Sequence, residues 1–157
     1  MIREIKILTL REIPDDYNTM STPQGLAEFW RREIVPAPWY DSEKEQLVVV
    51  SLNTKLKVKT FNLVSIGVAD QTSCHAREVF RSVILSAASY AIPMHNHPSG
   101  SVIPSAADLF AARQLIKAGK ILGIPCLDFL IIGDASPNSP SGYFSLKQAG
   151  LVSFDAP

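Results

Sequence analysis

The sequence lacks the features that identify several common classes of protein. It has only two cysteines, Cys74 and Cys126, which lie far apart and form no Cys-x-x-Cys pattern. We therefore expect reduced, buried thiols, with neither a disulfide framework nor a cysteine-based zinc site. There is also no long apolar run, and the N-terminus mixes apolar with charged residues. We expect no signal peptide and no membrane span, and hence a cytoplasmic protein.

An excess of charge of one sign is also absent. The 15 Lys and Arg residues balance the 15 Asp and Glu residues, and no basic cluster is longer than Arg31 and Arg32. The charge therefore gives no support for a phosphate-neutralising surface, although nucleic acid is left open as a partner. At 157 residues the chain can bury the core of one domain without a structural metal. Any metal site is then free to be functional.

The first 41 residues predict an arm followed by one amphipathic helix. Residues 5–7 are typical of a strand or an extended arm, and Ser21 or Thr22 can cap a helix that has Pro23 in its first turn. The apolar positions of this helix have helical spacing and predict a core face: Leu26, Phe29, Trp30 and Ile34.

The remainder of the chain predicts alternating strands and helices. Strands are expected at 46–52, 56–66, 90–94, 127–132 and, with a turn, 143–152; helices are expected at 76–88 and 106–120. The first two strands favour an antiparallel hairpin. Pro93 lacks a backbone donor, so we expect it at a sheet edge or at the end of its strand.

The most informative motif is a pair of histidines one residue apart, followed by an aspartate. In an extended segment His95 and His97 point to the same side, while Asn96 faces away. Asp108 lies in the first turn of the next predicted helix, from which it can reach the same ion. Three protein ligands leave a fourth zinc position for water, which is typical of a catalytic site and favours a hydrolase.

Two nearby patterns have simpler structural interpretations. Ser105 and Asp108 have the spacing of a helix capping box, a role that can coexist with metal binding. Cys74 and His75 could be taken as a second metal pair, but we interpret them as polar residues at the start of a helix.

The motif carries a family resemblance. Residues 95–100 (HNHPSG) and 105–108 (SAAD) resemble the JAMM metalloprotease signature, His-x-His, ten residues, then Asp. Five further stretches are similar to the bacterial RadC-like proteins in order and spacing, over roughly residues 42–152: 45–54, 75–80, 122–124, 128–133 and 143–146. The chain is thus divided into residues 1–41, the arm and helix, and 42–157, a RadC-like JAB/MPN domain.

The resemblance implies a cytidine-deaminase-like α/β fold, a mixed β-sheet flanked by helices, with one zinc ion per chain. The implied zinc ligands are His95, His97 and Asp108. Glu45 matches the catalytic glutamate, and Ser105 matches the residue that helps to stabilise the oxyanion. The implied activity is that of a zinc-dependent peptidase or isopeptidase acting on a peptide or protein substrate.

Several alternatives remain open at this point. Glu43 is two residues from Glu45 and on the same side of an extended chain, so it could serve as the base. The family name suggests a DNA-repair or mobile-element accessory protein with a nuclease-like or non-catalytic zinc domain, but the first 40 residues show no helix-hairpin-helix pattern. Base deamination needs a His-x-Glu and a Pro-Cys-x-x-Cys motif, and Cys126 has no such partner. A non-catalytic scaffold would be expected to lose ligands. The substrate and the oligomeric state are not indicated.

Overall fold

The residues that the structure describes form a mixed five-stranded sheet with helices packed on it. A computed structural model describes residues 22–67, 74–137 and 139–154. The strands are β1 (Glu45–Leu52), β2 (Val58–Gly67), β3 (Tyr90–Asn96), β4 (Leu130–Ile132) and β5 (Tyr143–Ser145). The helices are α1 (Pro23–Phe29), which continues as a π-helical turn (Trp30–Ile34), α2 (Ala76–Leu85) and α3 (Ala106–Leu122). This confirms the predicted α/β class. The predicted strand or arm at residues 5–7 lies outside the described residues.

The sheet has the order β2-β1-β3-β4-β5, which places β3 at its centre. The predicted hairpin is confirmed, because β1 and β2 pair antiparallel. β1 also pairs antiparallel with β3, and β3 pairs parallel with β4 after the crossover through α3. A parallel pair needs such a long connection, usually a helix, to return the chain to the same end of the sheet.

Helices cover both faces of the sheet, and β1 is buried throughout. Val48, Val50 and Leu52 share a cluster with α1, while Leu47 and Val49 share the cluster of α2 and α3. Burial on two faces explains why β1 is a continuous apolar run and not an alternating strand. All four predicted core residues of the first helix are buried: Leu26, Phe29, Trp30 and Ile34. This helix shares the core of the sheet, and the boundary at residue 41 stays a prediction.

Pro93 does not lie at an edge or a strand end, so that prediction was wrong. It lies inside β3 and pairs with Val49 of β1. On the other side of β3, Ala91 exchanges backbone hydrogen bonds with the segment around Cys126, and regular pairing with β4 resumes only at Met94. Alternation directs the nitrogen of Pro93 to the same side as that of Ala91. The proline therefore occupies a gap in the ladder where no donor is required.

Two element ends also differ from the predicted ones. α2 ends at Leu85, and Ala87 just beyond it has a positive φ of 48°. The strand predicted at 127–132 is regular only from Leu130, because the Asp128 side chain accepts the backbone N–H groups of Phe129 and Lys147. Two predicted end residues are confirmed: Thr22 caps α1, and Gly123 ends α3 in the left-handed conformation. Within the described ranges no helix has the length and apolar character required to cross a membrane.

Candidate metal centre

The histidine pair lies where β3 leaves the sheet. His95 is the penultimate residue of β3 and His97 follows its last residue, so period-two alternation turns both imidazoles to one side. Their ring centroids are 4.8 Å apart, with the ring planes nearly perpendicular. The edge of the buried Phe129 ring also packs against His95, with a centroid distance of 5.3 Å. Packing and strand geometry together fix the direction of the His95 ring.

Asp108 faces both rings from the first turn of α3. Its Oδ1 lies 3.4 Å from Nε2 of His95, and its Oδ2 lies 3.3 Å from Nε2 of His97. One ligand atom from each of the three residues lies within 4.8 Å of the other two. The three residues predicted as ligands are therefore brought together, and they form a group that could hold a metal ion.

The hydrogen bonds of the two imidazole rings are compatible with metal binding. Nδ1 of His95 lies 2.7 Å from Oε1 of Glu45, and Nδ1 of His97 lies 2.9 Å from the carbonyl oxygen of Ser101. Both Nε2 atoms are thus left for an ion, because metal-binding histidines usually donate their other ring N–H to a carboxylate or a carbonyl. Nε2 of His95 is buried and forms no hydrogen bond. Such an unpaired buried nitrogen is uncommon unless a further ligand satisfies it.

Asp108 has a structural role as well. Its Oδ2 accepts the backbone N–H of Ser105, and the Ser105 hydroxyl accepts the backbone N–H of Asp108, so the predicted capping box is present. The cap residue is exposed, whereas the Asp108 side chain is only 9% exposed. The same carboxylate therefore starts α3 and faces the histidines.

The electrostatics of the group favour a charged carboxylate. Burial opposes ionisation of Asp108, but hydrogen bonds from His97 and Ser105 and the charge of His95 lower its pKa to about 2. The hydrogen bond with Asp108 in turn raises the pKa of His97 above its ordinary value of 6.5, against the opposing effect of burial. Without an ion, Asp108 therefore makes the His97 ring easier to protonate than an ordinary imidazole.

The structure separates the two candidate glutamates. Glu45, at the start of β1, is 6% exposed and lies against His95. Glu43 is exposed, and its backbone N–H donates to the side chain of Asp41. Solvent reaches the group mainly beside His97, whose side chain is 16% exposed compared with 3% for His95. Of the two carboxylates, only Glu45 is in contact with a residue of the metal group.

The other residues considered from the sequence lie elsewhere. His75 is the N-cap residue of α2, and the metal group found among the described residues does not include it. Neither Cys74 nor Cys126 forms a disulfide bond within the described ranges; Cys126 is buried, whereas Cys74 is only partly buried. Burial raises the pKa of Cys74 to about 11, so this thiol stays protonated near neutral pH.

Sequence reasoning missed the supporting role of Asn96. It predicted that this side chain faces away from the histidines, but not that it bonds to the backbone on both sides of Glu45. A polar residue inside an apolar strand was the available signal. Its partners could not be identified, because they lie about 50 positions earlier in the chain.

Comparison with known proteins agrees with this geometry. The sequence model described as "RadC-like JAB domain" matches residues 20–151. A UPF0758 protein of Methanosarcina acetivorans is 39% identical over 112 residues, which are 71% of this chain and 46% of the relative. UPF0758 proteins of Moorella thermoacetica and Clostridioides difficile are 43% and 45% identical over 110 residues. The chain thus spans under half the length of these curated relatives, between 44% and 46%.

Proposed function

Because the chain belongs to the RadC-like JAB domain family, we propose that it is a zinc-dependent metallohydrolase that cleaves an amide bond in a peptide or protein substrate. One observation carries the proposal. His95, His97 and Asp108 present a set of two nitrogens and a carboxylate that is buried except beside His97, and the Glu45 carboxylate lies in contact with this set but outside it. Three ligands with an additional carboxylate nearby are typical of a catalytic zinc centre and not of a structural one.

The donor types favour zinc as the metal. Two imidazole nitrogens and one carboxylate oxygen form a ligand set that occurs in catalytic zinc sites, and three protein ligands leave one position open. A zinc ion held here would supply a Lewis acid and a water that is acidic near neutral pH. We expect one ion per chain.

Glu45 is proposed as the proton acceptor. One of its oxygens lies 2.7 Å from Nδ1 of His95, the ring nitrogen that faces away from the ion's position, so the carboxylate is held against a ligand residue without being one of the ligands. Its second oxygen lies outside that hydrogen bond, and this oxygen is proposed to take a proton from the attacking water and deliver it to the leaving amine. Glu45 thus acts both on the orientation of His95 and on proton transfer.

Ser105 is proposed to stabilise the negative charge that develops on the substrate carbonyl. Its hydroxyl oxygen already accepts the backbone N–H of Asp108, which leaves the hydroxyl hydrogen free to donate. The residue is exposed and adjoins the first turn that carries Asp108. A donor held by a helix cap is preorganised, which is the property that makes such groups effective in the transition state.

Cleavage assays on peptides, on isopeptide-linked proteins and on DNA test the proposal. The zinc-loaded protein and the chelator-treated protein are each incubated with a mixed-sequence peptide library, with proteins joined through isopeptide bonds, and with single- and double-stranded DNA. New termini are read by mass spectrometry. We expect zinc-dependent cleavage of an amide substrate. Cleavage of DNA alone, or zinc-independent cleavage, would contradict the proposal.

A further inference from the structure

A single buried side chain holds the backbone on both sides of Glu45. Oδ1 of Asn96 accepts the backbone N–H of Gln46 at 2.8 Å, and its Nδ2 donates to the carbonyl oxygen of Lys44 at 3.0 Å. These two groups belong to the peptide units immediately after and before Glu45. The identity of each amide atom follows from its partners, since a backbone N–H only donates and a carbonyl only accepts.

The contact replaces a backbone pairing that the sheet lacks at this point. Between β1 and β3, the last backbone pair is Leu47 with His95, although β1 itself begins at Glu45. Gln46 is completely buried, so its N–H requires an acceptor. The Asn96 side chain supplies that acceptor one position beyond the end of the ladder, and it extends the β1–β3 connection to Glu45.

The turn before Glu45 is tied into the same network. The Gln46 side chain donates to the carbonyl oxygen of Asp41 at 2.6 Å, and the Lys44 ammonium lies 3.0 Å from the Asp41 carboxylate. The lysine–aspartate pair is largely exposed and contributes little. On the β2 side the backbone of Glu45 pairs with Gly67, and on the β3 side the buried amide bonds of Asn96 hold it in place of a backbone pair.

We propose that Asn96 is a positioning residue that fixes Glu45 in the geometry required for catalysis. This inference rests on the proposed function of Glu45 as the proton acceptor. Asn96 adjoins His95 in sequence, so one segment of β3 presents the imidazole that Glu45 contacts and also holds the backbone from which Glu45 extends. Catalysis is sensitive to displacements on the order of 1 Å, which can lower a rate by about 10²-fold.

A matched pair of asparagine variants tests this role. Asn96→Ala removes both hydrogen bonds, and Asn96→Asp keeps the acceptor for Gln46 but loses the donor to Lys44. The control is Asn53→Ala. It also removes two side-chain hydrogen bonds, in which Asn53 accepts the backbone N–H groups of Lys55 and Lys57 at the opposite end of β1.

On the best amide substrate found, we expect Asn96→Ala to lower kcat by roughly 10-fold or more with KM little changed. We expect Asn53→Ala to leave kcat within about twofold. Asn96→Asp, which retains the side-chain volume, provides the measurement if the alanine variant does not fold.

A spectroscopic readout separates this inference from the proposed function. In the protein with ¹⁵N-labelled histidine, the Nδ1 proton of His95 in its bond to Glu45 should give a strongly deshielded NMR signal. We expect Asn96→Ala to shift, broaden or abolish that signal, and Asn53→Ala to preserve it. If the signal is unchanged in both Asn96 variants, or if kcat falls equally in Asn53→Ala, the positioning role is wrong. If the parent protein cleaves no amide substrate, the proposed function fails, while the NMR comparison still decides whether Asn96 positions Glu45.

Discussion

The carboxylate of Asp108 accepts the backbone N–H of Ser105 at 2.7 Å, and the hydroxyl of Ser105 accepts the backbone N–H of Asp108 at 3.1 Å. This reciprocal pair sets the first turn of α3, and it aims the carboxylate at both imidazoles. The N-terminus of the helix also favours the charged form of an acid placed there. Asp108 thus belongs both to a local capping motif and to the group that could hold a metal ion.

Because Ser105 caps α3 and is also proposed to donate to the oxyanion, Ser105→Ala should lose both stability and activity. Loss of an N-cap hydroxyl costs about 1 kcal/mol of unfolding free energy, and loss of an oxyanion donor lowers kcat by about 10²-fold. Thr22→Ala is the matched control, because Thr22 caps α1 in the same manner through the N–H of Gly25. Denaturant unfolding should show similar losses in both variants. If activity also falls equally in both, Ser105 has only its capping role.

Metal binding should depend on His97 and not on the histidine that caps α2. We expect the purified protein to hold about one zinc per chain. His97→Ala should bind much less because it removes one of three ligands, whereas His75→Ala should bind as much as the parent. Elemental analysis after gel filtration decides between these outcomes. Equal zinc in both variants would show that the ligand assignment is wrong.

As the pH is lowered, the zinc affinity of this site should begin to fall at a higher pH than that of a site with an ordinary histidine. The hydrogen bond with Asp108 raises the pKa of His97 above 6.5 in the metal-free protein, and zinc binds only the unprotonated ring. Affinity is therefore constant above that raised pKa and falls as the pH drops through it. Competition with a chelator over about pH 5 to 8 measures the onset, in the region where histidine titrates. If the zinc affinity begins to fall only below pH 6.5, the prediction is wrong.

Glu45→Gln should separate metal binding from hydrolysis. Glutamine can still accept a hydrogen bond from Nδ1 of His95, so zinc content and folding should be retained. It cannot accept the proton, so hydrolysis should fall by on the order of 10²-fold or more. Glu43→Gln removes the same charge from an exposed position two residues away and should leave the rate unchanged. If Glu45→Gln and Glu43→Gln lower the rate of hydrolysis equally, the loss is a general effect of removing a negative charge.

A further prediction concerns the buried carboxyl of Asp128, which accepts the Ser145 hydroxyl and the backbone N–H groups of Phe129 and Lys147. Burial raises the pKa of Asp128 above its ordinary value of 3.8 despite these bonds. A raised folded-state pKa contributes stability that is fully present below 3.8 and is lost as the pH rises through the folded value.

Asp128→Asn mimics the neutral form and cannot lose a proton. The unfolding free energy of the parent minus that of Asp128→Asn should therefore decrease as the pH rises above 3.8 and through the raised folded-state pKa. Asp128→Ala instead leaves three donors without their acceptor and should lose about 2 kcal/mol or more at every pH. Urea unfolding at several pH values measures both. If the unfolding free energy of the parent minus that of Asp128→Asn increases with pH, the pKa of Asp128 is not raised and the prediction is wrong.

Much of the fold and of the site was accessible from local patterns. A continuous apolar run predicted β1, period-two alternation predicted the common direction of His95 and His97, and the capping-box spacing predicted the start of α3. These features depend on residues within a few positions of each other. The placement of Glu45 beside His95 came from the family resemblance, and nothing local to Glu45 distinguishes it from Glu43.

The features that escaped prediction depend on long-range pairing. The central position of Pro93 depends on a gap in the ladder opposite residues 127–129, and the role of Asn96 depends on where the β1–β3 pairing stops. Both are set by strand register between segments far apart in sequence. In neither case do the few neighbouring residues identify the segment that pairs with it.

The separation of the site residues along the chain has a consequence for the order of folding. His95 and Asp108 are 13 positions apart, whereas Glu45 and His95 are 50 apart, with β2 and α2 between them. Closing the longer loop costs more conformational entropy and depends on strand pairing between distant segments. A segment folded only from β3 through α3 would therefore already bring His95, His97 and Asp108 together. The Glu45 carboxylate joins them only when β1 docks beside β3.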